Sequence, residues 1–180
     1  MAVHLVLGGA RSGKSTHAEK LCQKIARDRG QLKQTYLATA IAFDGEMEQR
    51  VAHHRERRDD SWNLREEPHD IATVINEAES QDTLLVDCLT VWLNNVIFAQ
   101  GDMLSSEQIH QEVKRVCDAL QASEADIVLV SNEVGLGVVP LGEVSRLFVD
   151  HAGWMNQAIA EISHSVTLVA AGLPLTLKAS

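Results

Sequence analysis

The sequence predicts an α/β fold, a mostly parallel sheet flanked by helices, and two observations carry it. Five short segments are apolar almost throughout, as strands buried on both faces are. Longer segments with apolar residues at helical spacing alternate with them, which is the pattern of strand–helix–strand crossovers.

The elements follow in order. Val3 to Leu7 is the first predicted strand, and Ser15 to Arg29 the first helix, with Ala18, Leu21, Cys22 and Ile25 along one face. Further strands are expected over Thr35 to Thr39, Thr83 to Val86, Ile127 to Ser131 and Val166 to Ala170. Helices are expected over Asp44 to Arg58, Asp70 to Glu79, Leu89 to Ala99, Ser105 to Ala122 and Val144 to Ser163. Ser105 and Gln108 form a capping-box pattern at the start of one of them. Gly101-Asp102 and the stretch Gly135 to Gly142, with Pro140, read as loops.

With 180 residues, 45% of them hydrophobic and 23% charged, the chain suits one core, so residues 1–180 are expected to form a single domain. Cys22, Cys88 and Cys117 lie far apart and lack disulfide or metal-ligand spacing, which predicts reduced thiols. No apolar run approaches the roughly 18 residues of a membrane helix, and Met1-Ala2-Val3-His4-Leu5 has no basic start, so a cytoplasmic protein is expected. A formal charge of −9 repels phosphate backbones and disfavours a nucleic-acid partner.

Gly8-Gly9-Ala10-Arg11-Ser12-Gly13-Lys14-Ser15 matches G-x-x-x-x-G-K-[ST] at each fixed position, between a predicted strand and a predicted helix. Glycines let the backbone turn and aim N–H groups at phosphate oxygens, and the helix N-terminus adds partial positive charge. Lys14 is the expected partner of the β- and γ-phosphates, and Ser15 of Mg²⁺. The fold expectation thereby narrows to a P-loop NTPase of RecA-like type. Asp87, closing the apolar run Thr83-Leu84-Leu85-Val86, is the candidate second metal-side residue.

Asp44 to Arg58 is a polar segment in which His53 shares a helical face with Arg50 and Arg57, and His54 with Arg50, Val51 and Arg58. Guanidinium forks match phosphate oxygens, and neighbouring cations favour the neutral, nucleophilic imidazole. Such a face can hold a polyphosphate while a histidine attacks phosphorus. Spacing alone equally allows a solvated helix laced with surface ion pairs.

Several of these segments together resemble one family, the bifunctional adenosylcobinamide kinase / adenosylcobinamide-phosphate guanylyltransferases of cobalamin biosynthesis. The carriers are Gly8 to Ser15, Tyr36-Leu37-Ala38-Thr39-Ala40, Glu46-Met47 with Arg50 and His53-His54-Arg55, and Trp62 with Glu66. Leu85-Val86-Asp87-Cys88-Leu89-Thr90, Ser131-Asn132-Glu133-Val134-Gly135 and Gly137-Val138-Val139-Pro140 complete the set.

The resemblance implies two reactions: phosphorylation of the aminopropanol hydroxyl of adenosylcobinamide, then transfer of GMP from GTP to adenosylcobinamide phosphate. It implies GTP, ATP and Mg²⁺ as the small molecules used. It places the guanylyl-carrying role on His53, with His54 the alternative, and brings Ala38, Thr39, Ala40, His54, Arg55, Glu56, Arg57, Glu66 and Asp87 to the nucleotide. It also implies a homo-oligomer, a trimer, whose subunit boundary helps form the corrinoid site.

Asn132-Glu133-Val134-Gly135 is expected beside the phosphate loop, with the glycine-rich stretch after it as a closing loop or a plain turn. Trp92, Asn94 and Asn95 are candidates for a subunit or corrinoid contact, or for core. A plain P-loop kinase and a nucleotide-dependent switch share the phosphate loop and differ from the bifunctional reading at His53.

Overall fold

A computed structural model describes residues 1–30, 33–41, 62–98 and 103–179. The strands are β1 (Val3–Gly8), β2 (Lys33–Ala38), β3 (Trp62–Glu66), β4 (Asp82–Asp87), β5 (Asp126–Asn132), β6 (Ser165–Ala170) and β7 (Leu173–Lys178). The helices are α1 (Lys14–Arg29), α2 (Ile71–Asn76), α3 (Leu89–Ile97), α4 (Ser106–Ala122) and α5 (Glu143–Ile162). Together the strands make one sheet in the order β3-β2-β4-β5-β1-β6-β7. Every pairing is parallel except β6 with β7.

Why the strands read as unbroken apolar runs is now explicit. Leu5, Leu7, Leu37, Leu84, Val86, Ile127 and Leu129 point to the face covered by α2 to α5. Their neighbours Val6, Tyr36, Leu85, Val128 and Val130 point to the face covered by Ala18 and Cys22 of α1. Period-2 alternation is present, but both sides are apolar because both are buried. Each methylene withdrawn from water here contributes about 0.8 kcal/mol.

Local chemistry sets the helix ends. Ser105 and Gln108 form the complete capping box at α4, each side chain meeting the other's backbone N–H. Asp70, expected as the first residue of a helix, is instead the N-cap of α2, with Oδ1 accepting from Thr73 N at 3.2 Å. Gly30, at φ 64°, closes α1. Arg29 at the end of α1 reaches the buried Asp126 at 2.9 Å, tying that helix to the start of β5.

Two strands were not expected. β3 carries few apolar residues and lies at one edge of the sheet. β7 lies at the other edge, fully exposed, joined to β6 by Ala171 and Gly172, both at positive φ. That two-residue turn is the connection that suits an antiparallel hairpin. The segment 44–58, expected as a helix, lies outside the described residues.

His151 of α5 is buried, hydrogen-bonded through Nε2 to Ser106 Oγ at 3.1 Å, with the His110 ring 5.0 Å away. Burial, with His110 adding to it, lowers its pKa below the usual 6.5. The unfolded chain therefore takes up this proton first on acidification, and the stabilisation present above about pH 6.5 is lost as pH falls through the native value. The urea midpoint is expected to fall between pH 7.5 and pH 5, and to fall less in His151→Gln; equal falls would assign the effect to other groups.

Candidate active site

The C-terminal ends of the parallel strands bring the expected residues into one row. Gly8 stands opposite Asn132, Asp87 opposite Val130, and Ala38 opposite both Asp87 and Glu66. β5 thus separates the phosphate-loop strand from the strand ending in Asp87, and Asn132 lies beside the loop as its sequence position suggested.

The loop itself is built by steric necessity. A Cβ on Gly8 would come within 2.5 Å of Ser12 Oγ and 2.6 Å of the Val169 carbonyl oxygen. Gly13 sits at φ 93°, where L side chains are strained, and leads directly into α1. Among the described residues, apart from its chain neighbours, no atom lies within 4 Å of where a Gly9 Cβ would be, so the backbone there has open space beside it. Lys14 Nζ donates to the Gly9 carbonyl oxygen at 3.2 Å, lying across the loop.

The first turn of α1 contains no acidic residue. Its N-terminal N–H groups and partial positive charge therefore meet no acidic side chain of that turn, the electrostatics of an anion site. Ser12 Oγ is buried within the loop without a hydrogen-bond partner among the described residues. Gly172 N, in the β6–β7 turn, donates to the Ser12 carbonyl oxygen at 2.8 Å and clips the loop from outside.

Asp87 is held by Tyr36, whose hydroxyl donates to Oδ2 at 2.8 Å. Thr39, wholly buried, accepts from Cys88 N and donates to the Cys88 carbonyl oxygen, both at 2.9 Å. With its hydroxyl spent in this way, Thr39 acts on the row through the backbone that follows Asp87. Burial, reinforced by the Asp87 charge, raises the Cys88 thiol pKa. Hard oxygen donors at Ser15 and Asp87 suit Mg²⁺, which commonly takes one or two protein ligands and fills its shell with phosphate and water.

Ala40 follows Thr39 beyond β2, and Glu66 ends the exposed edge strand β3. His53, His54, Arg55, Glu56 and Arg57 lie outside the described residues. Trp92 is core, donating its indole N–H to the His69 carbonyl oxygen at 2.6 Å. Asn95 is internal too, bridging the Thr39 and Pro68 carbonyl oxygens at 2.8 and 3.0 Å. Two contributors escaped the motif reading: Tyr36 as the support of Asp87, and Gly172 as the clip on Ser12. The Leu173-Pro174-Leu175-Thr176-Leu177 alternation after Ala171-Gly172 was the available signal for the hairpin that carries the clip.

The family model for cobinamide kinase / cobinamide phosphate guanyltransferase, CobU, matches residues 4–177. The bifunctional adenosylcobalamin biosynthesis protein CobP of Pseudomonas aeruginosa is 49% identical over 175 residues, covering 97% of this chain and 96% of that protein. The CobU proteins of Salmonella typhimurium and Escherichia coli are 37% and 36% identical, over 97% of this chain and 98% of each.

Among solved structures, the flagellar accessory protein FlaH of Methanocaldococcus jannaschii is similar at TM-score 0.52 and 12% identity, covering 99% of this chain and 79% of that one. A KaiC-like protein of Pyrococcus horikoshii is similar at TM-score 0.50 and 11% identity, covering 93% of this chain and 70% of that one. These neighbours share the P-loop NTPase fold, and with the family match they imply nucleotide binding. Among the described residues, no helix is long and apolar enough to cross a membrane.

Gly8→Ala sets a methyl against a backbone oxygen of β6 that cannot swing away. The variant is expected to lose about 1–3 kcal/mol in chemical denaturation and to bind nucleotide more weakly. Wild-type stability and affinity together would show that the loop has room at Gly8.

Proposed function

This chain belongs to the cobinamide kinase / cobinamide phosphate guanyltransferase family, and on that premise we propose that it phosphorylates adenosylcobinamide and then transfers GMP from GTP to the phosphate so made. The observation that carries the reading is that the match over residues 4–177 takes in the phosphate loop, the Asp87 row and the His53 segment together. A single domain of residues 1–180 would then serve both steps, in a cytoplasmic homo-oligomer whose trimeric form rests on resemblance alone.

In the kinase step the acceptor hydroxyl oxygen attacks the γ-phosphorus of ATP or GTP. The bond to the β-phosphate oxygen breaks, the nucleoside diphosphate leaves, and the hydroxyl proton is released. Backbone N–H groups of Gly8 to Ser15 and the α1 N-terminus hold the phosphates, and Lys14, freed from Gly9, neutralises the transferring group. Ser15 and Asp87 are the residues that would hold Mg²⁺, which supplies charge neutralisation on the phosphate oxygens.

In the second step an imidazole nitrogen of His53 attacks the α-phosphorus of GTP, a P–N bond forms, and pyrophosphate leaves. A phosphate oxygen of the acceptor then attacks the same phosphorus, the P–N bond breaks, and the histidine is regenerated. Arg55 and Arg57 are candidates to hold the phosphates during this exchange, with His54, Glu56, Glu66 and the Ala38-Thr39-Ala40 backbone completing the nucleotide contacts.

GTP labelled at the α-phosphate is expected to leave an acid-labile, base-stable label on the wild-type protein and none on His53→Ala. Absence of label on the wild type under turnover would exclude the covalent step and leave a plain kinase. Asp87→Asn is expected to lower Mg²⁺-dependent phosphorylation of adenosylcobinamide at least a hundredfold with the melting temperature retained; full activity would remove Asp87 from the site.

A further inference from the structure

A recess of about 310 Å³ lies between α3 and α5, at the same sheet edge as the phosphate loop. The buried residues of those two helices pack on the face of the sheet opposite α1, while Val91 at the start of α3 reaches the α1-side cluster. Ile41, Val91, Val134 and Phe148 form its apolar walls, and Thr90 and Asn132 also line it. Asn132 stands opposite Gly8 in the sheet, and Thr90 is the third residue after Asp87. The recess therefore adjoins the phosphate row from the side that α1 leaves open.

We propose that this recess receives the hydroxyl-bearing arm of the acceptor, a short aliphatic amide alcohol, and that Asn94 recognises the amide of that arm. The inference rests on the reading above, that the chain phosphorylates adenosylcobinamide.

In-line transfer needs the attacking and leaving oxygens on opposite sides of the phosphorus. Nucleotide phosphates held at the α1 N-terminus leave the α3–α5 side for the attacking hydroxyl. Volume decides which part of the acceptor enters: the recess is at the lower end of the roughly 300–1,000 Å³ of small-ligand sites, room for an arm and not for a macrocycle. The apolar walls suit methyl and methylene groups.

Polar recognition falls to Asn94 because the other amides are committed. Asn95 holds two backbone oxygens, and Asn132 Nδ2 donates to Thr90 Oγ1 at 2.6 Å. Asn94 is exposed and lines the recess, with no side-chain hydrogen bond among the described residues. Its donor and acceptor complement one secondary amide. The macrocycle would remain outside, near the loop that joins Val134 to α5, where Leu136, Val138, Val139 and Leu141 are exposed.

The test is steady-state phosphorylation of adenosylcobinamide by the full chain, beside equilibrium binding of a fluorescent GTP analogue. Asn94→Ala, at an exposed position, is expected to raise KM for adenosylcobinamide about tenfold with kcat and nucleotide affinity within about twofold of wild type. Val91→Phe, which narrows the recess, is expected to raise KM at least as much. N-acetyl-1-amino-2-propanol should compete with adenosylcobinamide in the wild type and more weakly in Val91→Phe. Unchanged KM in both variants, or nucleotide affinity falling in step with acceptor affinity, would overturn the assignment. A wild-type chain that leaves adenosylcobinamide unphosphorylated would instead overturn the reading on which it rests.

Discussion

The parallel register of β1, β5 and β4 is the constraint on which the rest of the site depends. Backbone hydrogen bonds set Gly8 against Asn132 and Asp87 against Val130. A phosphate loop, an amide and a carboxylate far apart in sequence therefore emerge at one edge. Slipping any strand by one residue would reverse its buried faces, turning Val128 and Val130 from the α1 side to the other. Burial on both faces thus fixes the register, and the register places the chemistry.

Around that row, polar groups are largely spent on one another. Tyr36 holds Asp87, the Thr39 hydroxyl spans the N–H and carbonyl of Cys88, and Asn132 holds Thr90. In a low-dielectric setting an unpaired group of this kind is costly, so each satisfied pair also fixes a geometry. What stays open among the described residues is informative: the space beside Gly9, where a Cβ would meet nothing, and the Asn94 amide. Such groups mark where ligand can replace water without breaking the scaffold.

The edges of the sheet follow different rules. β3 is partly and β7 wholly exposed, so neither carries the buried apolar signature that reveals the central strands. β7 nevertheless reaches the site, because the turn that precedes it supplies the Gly172 N–H to Ser12. A loop that must present most of its amides to a ligand has few to spend on holding itself, and an external clip meets that need.

Much was legible in the sequence for physical reasons. Strands buried on both faces are apolar throughout, amphipathic helices show their period, and a phosphate-binding turn demands glycine where Gly8 and Gly13 stand. Those rules set the α/β class, the phosphate loop and the family likeness residue by residue. Other features depended on packing between distant segments, to which local pattern is blind. Only tertiary structure separated Trp92 and Asn95, turned inward to backbone oxygens, from Asn94 on the recess. It alone gave Tyr36 to Asp87 and Gly172 to Ser12, because a hydrogen bond across the sheet is decided by register and not by neighbours in the chain.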